Sequence, residues 1–600
     1  MWGFKQISLG IAAVIIIIST VVAAINFRAG GDKSMEAPKK APVQAPEDAS
    51  GTKPADPPQD KAAVRIDLSK LGDPLENKFT DLNQWDLQMD WADSAKGRPS
   101  DYIRTHYPFV KRVQFMTATG GTDNIDLFED PADRENLTDY NFSRLTDALQ
   151  HVIDQGLKPY IVTGNVPLKY SSVPHIGSFG VNVRPPQDYD VYYRYMKAMA
   201  DEIVSRFGLN EVRTWTWRVL TEYENGDWFN NLSPESSMEA YFKLYDYTVA
   251  ALEASIGAEN LYIGAHSMTN GEGLWDERSF IDHVASGTNY YTGKKGTQLD
   301  FLSFSYYDNF PGMLSGNSLE QNMRLLRDRA EANGLSDLKY GVEEGRILAG
   351  SDRKELFPRT VASSFQSSSD AKLFKHMHDI DLDYFSTWYL NTERIWGESA
   401  GVDPVGTHLA NLVYRMEGAS RAAVQVSGST VNTSNEVDGI GGYQASSNTA
   451  QFLIYNYNLD QKADVSEPVT IILDNVEAVS GDKVAVKQWI IDDEHGNFWP
   501  AWQAYLEEQG ATSNQFGNWS VDSWTAGSNL TDEKLRQYWY DHVKEYQGLA
   551  KLEPDETTAV IKDNQLRFTP TLAPHAVMYY EITGVRPSAK QSISEVSDRP

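Results

Sequence analysis

Cysteine is absent from all 600 residues, which excludes disulfides, thiolate metal ligation and a thiol nucleophile. Basic side chains are scarce: 54 Lys and Arg stand against 83 Asp and Glu, for a net charge of −29. Nucleic-acid binding needs clustered cations against phosphate, so this balance argues against a nucleic-acid partner and disfavours the capture of polyanions. No Gly-rich phosphate loop falls at a strand–helix junction, which leaves a nucleotide role without support, and no motif calls for a cofactor. Residues 29–63 almost lack large apolar side chains; APKKAPVQAPEDASGTKPADPPQD cannot bury a core and reads as a disordered tether.

What is present begins with one long apolar run. After Lys5, the stretch Leu9–Phe27 is uncharged, with Ile15–Ile18 at its centre and Val22-Ala23-Ala24 as a cleavage site. Residues 1–28 are expected to be a signal peptide or a membrane anchor, and both outcomes stay open. Either predicts an exported protein, periplasmic, envelope-anchored or secreted, tethered to a membrane if the segment is retained.

Residues 64–420 alternate short apolar runs with helical periodicity. Strands are predicted at 112–116, 159–163, 212–220, 261–265, 301–306, 340–344 and 384–389, and helices at 143–154, 192–206, 238–255 and 319–333. Repeated βα units with about eight strands predict an α/β fold, a (β/α)₈ TIM barrel. Residues 421–586 change to alternating β-branched runs such as AQFLIYNYN and AVMYYEITG, the texture of an antiparallel β-sandwich, with a helical insertion at 501–550 and a disordered tail at 587–600.

The chemistry concentrates at two strand ends. TWTWRVLTEYEN (214–225) runs from alternating aromatics into Glu222, and LKYGVEEGR closes on Glu343 and Glu344. Strand C-termini converge on one face of a parallel barrel. Two carboxyls delivered there suit glycoside hydrolysis, one protonating the leaving oxygen and one attacking or stabilising the oxocarbenium-like centre.

Longer segments carry a resemblance. YNFSRLTDALQHVIDQGLKPYIVTGNVP, RPPQDYDVYYRYMKAMADEIVSRFG, WTWRVLTEYEN, EAYFKLYDYTVAALEA, LDFLSFSYY, DYFSTWYL and QWIIDDEHGNFWPAW occur in order across residues 65–585. Together they resemble glycoside hydrolase family 39, the group of β-xylosidases and α-L-iduronidases. The resemblance implies a retaining, two-glutamate mechanism with Glu222 as acid/base and Glu344 as nucleophile; Glu343 stands as the one-residue alternative. It also implies that Trp388 forms part of the sugar wall and that Tyr307 stands beside the nucleophile.

Departures from the family pattern are equally specific. Thr221 replaces the Asn before the acid/base, Gln114 and Met116 replace an Arg and a His on the first strand, and Ser305 replaces a His on the sixth. These changes are expected to remove cationic and imidazole donors from the −1 subsite, arguing against xylose and more strongly against a uronic acid. A sugar with fewer free hydroxyls, such as an anhydro-sugar of an algal galactan, fits the rewritten shell. The function expected is an exported retaining hydrolase releasing a terminal sugar from an oligo- or polysaccharide. The competing classes are a non-catalytic glycan-binding envelope protein on a degenerate scaffold and a transglycosylase.

Other polar groups read as structural. His376 and His378 lie two apart and share no helix face, so a metal is not expected; Asp379, Asp381 and Asp383 lack the Gly and distal Glu of a calcium loop. Glu224 reads as a loop carboxylate or substrate contact. Of the aromatics Trp215, Trp217, Trp228, Tyr306, Tyr307 and Trp396, about half are expected in the core, Trp215 and Trp217 among them.

Overall fold

The computed structural model describes residues 61–85, 87, 102–122, 125–269, 271–307, 317–345, 363–387, 402–510 and 532–588. The apolar segment, most of the tether, Trp388, Trp396 and the last twelve residues lie outside these. Among the described residues no helix is long and apolar enough to cross a membrane.

The chain opens with strand β1 (Ala63–Pro74) and then lays down eight parallel strands: β2 (Asp81–Gln84), β3 (Arg112–Phe115), β4 (Lys158–Thr163), β5 (Thr216–Val219), β6 (Ile263–Ser267), β7 (Phe301–Tyr306), β8 (Lys339–Gly345) and β9 (Tyr384–Thr387). Each pairs with the next in chain order. The first and last ends meet: the Phe385 N–H donates to Lys78 O at 2.8 Å and Ser386 Oγ donates to Asn83 Oδ1 at 2.9 Å. This is the expected barrel. Seven of its eight strands are predicted as short apolar runs, because helices cover them outside, as around helix Ser143–Asp154, whose Leu145, Leu149 and Val152 are all buried. Helix starts carry their signals: Asp188 caps Tyr189–Phe207, and Ser233 forms a capping box on Pro234–Ile256.

Strand β2, DLNQ, has no apolar run and was not predicted. Leu82 packs in the apolar core, while Asp81 and Asn83 meet polar partners. Asp81 takes a two-pronged ion pair from Arg112, at 2.8 Å on each oxygen, and the guanidinium lies over the rings of Tyr160 and Tyr384. Barrel interiors usually fill with branched aliphatics; here the lower layer is ionic and aromatic.

The second unit comprises β10 (Ser420–Ser427), β11 (Asn435–Gln444), β12 (Thr449–Asn458), β13 (Glu467–Pro468), β14 (Thr470–Asp474), β15 (Val476–Ala478), β16 (Lys483–Ile491), β17 (Asp555–Val560), β18 (Gln565–Phe568), β19 (Thr571–Leu572), β20 (Val577–Thr583) and β21 (Val585–Pro587). Nine strands form one sheet in the order β17-β16-β20-β12-β11-β10-β1-β14-β18. Edge strand β18 brings Phe568 onto Phe452 of β12 and Tyr580 of β20, with centroids 6.3 and 5.0 Å apart. The sheet therefore folds over itself into a sandwich with one core.

Two expectations are corrected here. The segment placed at the start of the barrel is a central strand of the sandwich: β1 pairs antiparallel with β10 and parallel with β14, so the sheet is mixed. The reason is visible in its pattern. Val64, Ile66 and Leu68 are buried while Arg65 and Asp67 are partly exposed, the period of a sheet with one wet face; Arg65 reaches Asp474 of β14 at 2.6 Å. Helices Trp499–Glu508 and Glu533–Leu549 occupy the expected insertion, and Ala550 O contacts His408 Nε2 of helix Val405–Tyr414 at 2.6 Å.

Candidate active site

Strand β5 stops at Val219, and the backbone then turns through two left-handed residues, Leu220 (φ 66°) and Glu222 (φ 44°). Side chains with a Cβ rarely adopt this region, so the bend is held from outside. The Leu220 N–H donates to Thr163 O at 2.7 Å. Beside it sits Gly164 (φ 94°), where a Cβ would stand 3.0 Å from Leu220 N; no other residue allows the two strand ends to approach so closely.

The bend buries the Glu222 carboxyl among donors. Ser305 Oγ donates to Oε1 at 2.6 Å, and Asn225 Nδ2 donates to Oε2 at 2.6 Å. Glu344 stands at the other edge of the site, where the Tyr307 hydroxyl donates to its Oε1. Burial pushes both carboxyls up, Glu344 to about 8 with the Glu222 charge as its second cause; Ser305 and Asn225 pull Glu222 the other way. Glu344, half-buried and facing that charge, therefore holds its proton more tightly than a free glutamate.

Glu343 is turned elsewhere by a bulge. In β8, Val342 pairs with Phe304 but Glu344 with Ser305, so Glu343 is the extra residue. A bulge re-aims its side chain, and Glu343 points into the barrel, 1 % exposed. Its Oε2 accepts from Gln114 Nε2 at 2.7 Å and lies 3.1 Å from Arg218 Nη1, while Oε1 accepts from the hydroxyls of Tyr160 and Tyr384. A Cβ on Gly341 would fall 2.3 Å from the Tyr384 ring, so glycine there admits that tyrosine.

Arg218 and His266 were missed in the sequence. Arg218, fully buried on β5, donates through Nη2 to Thr221 Oγ1 at 2.9 Å and approaches Met116 Sδ at 3.9 Å. His266, fully buried on β6, places Nε2 2.9 Å from Ser305 Oγ; burial, with Arg218 nearby, holds its imidazole well below the usual histidine range. The expected loss of cationic and imidazole donors from this region is therefore corrected: both groups are present, supplied by neighbouring strands. A charged residue inside the strand WTWRVL and a histidine inside IGAHS were the available signals, since a buried charge is kept only with a partner.

The residues named from sequence thus divide. Glu222, Ser305, Glu344 and Tyr307 come together at the strand C-termini. Gln114, Thr221 and Glu343 join Arg218 below them, and Trp388 lies outside the described residues. Trp215 and Trp217 are core, as expected. Trp228 stacks on Phe179 at 4.7 Å and meets the Trp85 ring at a tilt, 5.7 Å away. Glu224 does not join the pair: its Oε1 accepts from Ser267 Oγ, Met268 N and Thr269 N at 2.6, 2.7 and 3.3 Å, anchoring the loop after β6.

His378 is occupied by Phe374 O and the Glu76 N–H, at 2.9 and 3.2 Å. Asp379 pairs with Lys375 and Arg421, and Asp383 accepts from Lys339 and the Tyr340 N–H. Among the described residues no cluster of three His, Asp or Glu could hold a metal.

An eight-stranded parallel barrel with Glu222 and Glu344 at the ends of its fourth and seventh strands, joined to a β-sandwich, is an architecture compatible with glycoside hydrolysis. Residues 84–335 match the family model for Glycosyl hydrolases family 39, the family that the sequence segments resemble. A β-xylosidase of Caldicellulosiruptor saccharolyticus is 25% identical over 216 residues, 36% of this chain and 40% of that protein, so the chain spans about two fifths of that relative. An α-1,4-L-rhamnosidase of Formosa agariphila is 20% identical over 463 residues, 72% of this chain and 87% of that protein. The crystal structure of a monomeric β-xylosidase from Caulobacter crescentus CB15 superposes with a TM-score of 0.60 at 14% identity, covering 87% of this chain and 99% of that one. At that identity the likeness concerns the fold.

Proposed function

We propose that the protein is a retaining glycoside hydrolase that releases a terminal sugar from an oligo- or polysaccharide. In the first step Glu222 protonates the departing oxygen while Glu344 attacks the anomeric carbon. In the second, Glu222 takes a proton from water as that water displaces the glycosyl group from Glu344. The observation that carries this is the placement of Glu222 and Glu344 together at the barrel mouth, Glu222 buried and Glu344 half-buried, each hydrogen-bonded, with the Glu222 charge raising the proton affinity of Glu344. Glu343 is unsuited to attack because both its oxygens are engaged below the site.

The sugar is proposed to differ from plain xylose. The Gln114 and Thr221 contacts run to Glu343 and Arg218, and the Arg218 charge faces Glu343, an arrangement that leaves little cationic character for a uronate. A deoxy- or anhydro-sugar of an algal polymer fits, and the long match to an α-1,4-L-rhamnosidase favours testing 6-deoxy sugars first. Export through residues 9–27 belongs to the same proposal, since such polymers lie outside cells.

The experiment is a screen of residues 61–600 against rhamnose-containing algal polysaccharides, agarose, carrageenan and xylan, with Glu222→Gln as control. Sugar release that disappears in the variant is expected; release that persists undiminished contradicts the assignment. Binding without release would favour a glycan-binding protein, and glycosyl transfer to added acceptors a transglycosylase.

A further inference from the structure

Glu222 and Glu344 are each aimed by an irregularity next to a regular strand: the left-handed bend at Leu220 and Glu222 after β5, and the bulge at Glu343 in β8. No backbone pairing joins these two strands, because β6 and β7 lie between them in the sheet. The Arg218 guanidinium crosses the interior from one irregularity to the other. Its Nη2 donates to Thr221 Oγ1 at 2.9 Å, and its Nη1 forms an ion pair with Glu343 Oε2 at 3.1 Å. Thr221 lies between the two left-handed residues and immediately precedes Glu222. Glu343 is the extra residue of the bulge and immediately precedes Glu344.

Thr221, Arg218 and Glu343 are all buried, so water does not compete for these contacts. Both ends of the bridge are braced. Glu343 also accepts from Gln114 Nε2 at 2.7 Å and from the hydroxyls of Tyr160 and Tyr384. The bend is fixed by the Leu220 N–H on Thr163 O at 2.7 Å and by the Tyr223 N–H on His266 O at 2.9 Å. A planar guanidinium fork reaches two partners in a fixed geometry, which an ammonium on a flexible stem does not. Two of the positions involved, Thr221 and Gln114, are departures from the family pattern, so the bridge is a property of this chain.

We propose that the bridge Glu343–Arg218–Thr221 sets the separation of the Glu222 and Glu344 carboxyls, with Arg218, Thr221 and Glu343 as positioning residues. This rests on the proposed roles of the two glutamates. Retention of configuration needs carboxyls about 5–5.5 Å apart. The bridge grips the residue before each glutamate and leaves the carboxyl tips free for proton transfer and attack. A misplacement of about 1 Å at a reacting group costs a factor of about 100 in rate.

The test is the steady-state kinetics of the wild type, Thr221→Val, Arg218→Lys and the double variant on 4-nitrophenyl α-L-rhamnopyranoside and β-D-xylopyranoside. Thr221→Val removes one hydroxyl and leaves the buried ion pair intact; Arg218→Lys keeps a cation opposite Glu343 and loses the fork. Each single change should lower kcat by a factor of about 10–100 with KM little changed. The double variant should fall no further than the slower single one, since either change opens the same bridge. Thr221→Ser, which keeps the hydroxyl, should recover most of the rate. A wild-type kcat in folded Thr221→Val overturns the inference. Losses that multiply in the double variant also overturn it, because Thr221 would then act through its own contact with the sugar.

A second readout needs no turnover. Crystal structures of the wild type and Thr221→Val should differ in the separation of the Glu222 and Glu344 carboxyls by more than about 0.5 Å, the tolerance of a catalytic constellation. An unchanged separation overturns the inference. A shifted separation in a protein that hydrolyses neither glycoside, nor any polysaccharide of the screen, contradicts the proposed function and leaves the bridge in place.

Discussion

Glu343 and Glu344 are consecutive, yet a bulge in β8 sends them to different layers. Glu343 lies 3.1 Å from Arg218 Nη1 in the closed interior, and Glu344 is held by Tyr307 at the mouth. One carboxylate neutralises a buried cation, while the other keeps a raised proton affinity and an open side. Their replacements should therefore fail in different ways.

Removing Glu343 leaves Arg218 uncompensated and takes the acceptor from Gln114, Tyr160 and Tyr384. Breaking a buried ion pair by one partner costs about 3–5 kcal/mol. Glu343→Ala should lose stability on that scale in urea unfolding, and combining it with Arg218→Met should cost less than the sum of the two. Glu344→Gln should unfold close to wild type while its turnover falls by a factor of about 100 or more.

Glu224 gives a pH-dependent prediction. Burial pushes its carboxyl from 4.5 up to about 8, and its Oε2 lacks a partner among the described residues. A carboxyl raised on folding contributes stability that is complete below the unfolded value and is lost as pH rises through the folded one. The wild type should therefore lose stability between pH 4.5 and 8 relative to Glu224→Gln, by about 1.4 kcal/mol for each pH unit within that window. Paired denaturation curves at pH 5 and 9 check the sign: the variant gains at pH 9.

Asp246 is fully buried in helix Pro234–Ile256 and accepts from Tyr290 N at 2.7 Å and Thr297 Oγ1 at 2.6 Å, with His283 Nε2 at 3.0 Å. It pins a loop on the barrel's flank. Asp246→Ala should lower stability by about 2–4 kcal/mol and speed amide exchange at Tyr290, with KM for small glycosides unchanged. A change in KM would show that the loop reaches the substrate.

Strand β1 lies between β10 and β14 in the sandwich. A chain beginning at residue 76 should fail to accumulate as folded protein, whereas one beginning at residue 61 should unfold cooperatively. Equal thermal stability of the two would contradict the topology.

How much of this was legible in the sequence depended on whether burial left a local pattern. Strand Phe301–Tyr306 and helix Ser143–Asp154 were read with their observed limits because apolar periodicity reports a covered face. Glu222 stood out because the apolar run ends two residues before it. Strand β2 did not, since DLNQ is paired through polar groups in the barrel interior. Arg218 and His266 stayed hidden because their meaning lies in partners, Glu343 and Ser305, that are far away in the chain. The bulge at Glu343 depends on pairing with β7, so no local pattern could separate the two glutamates. Strand β1 carried a clear period of two but belonged to a sheet completed hundreds of residues later.

The most direct measurement is to trap the glycosyl-enzyme. Glu222→Gln slows hydrolysis of the intermediate, so the variant incubated with an activated aryl glycoside of the released sugar should gain one glycosyl mass. Peptide sequencing by mass spectrometry should place it on Glu344. An adduct on Glu343, or turnover with no adduct and undiminished rate, would contradict the two-glutamate assignment.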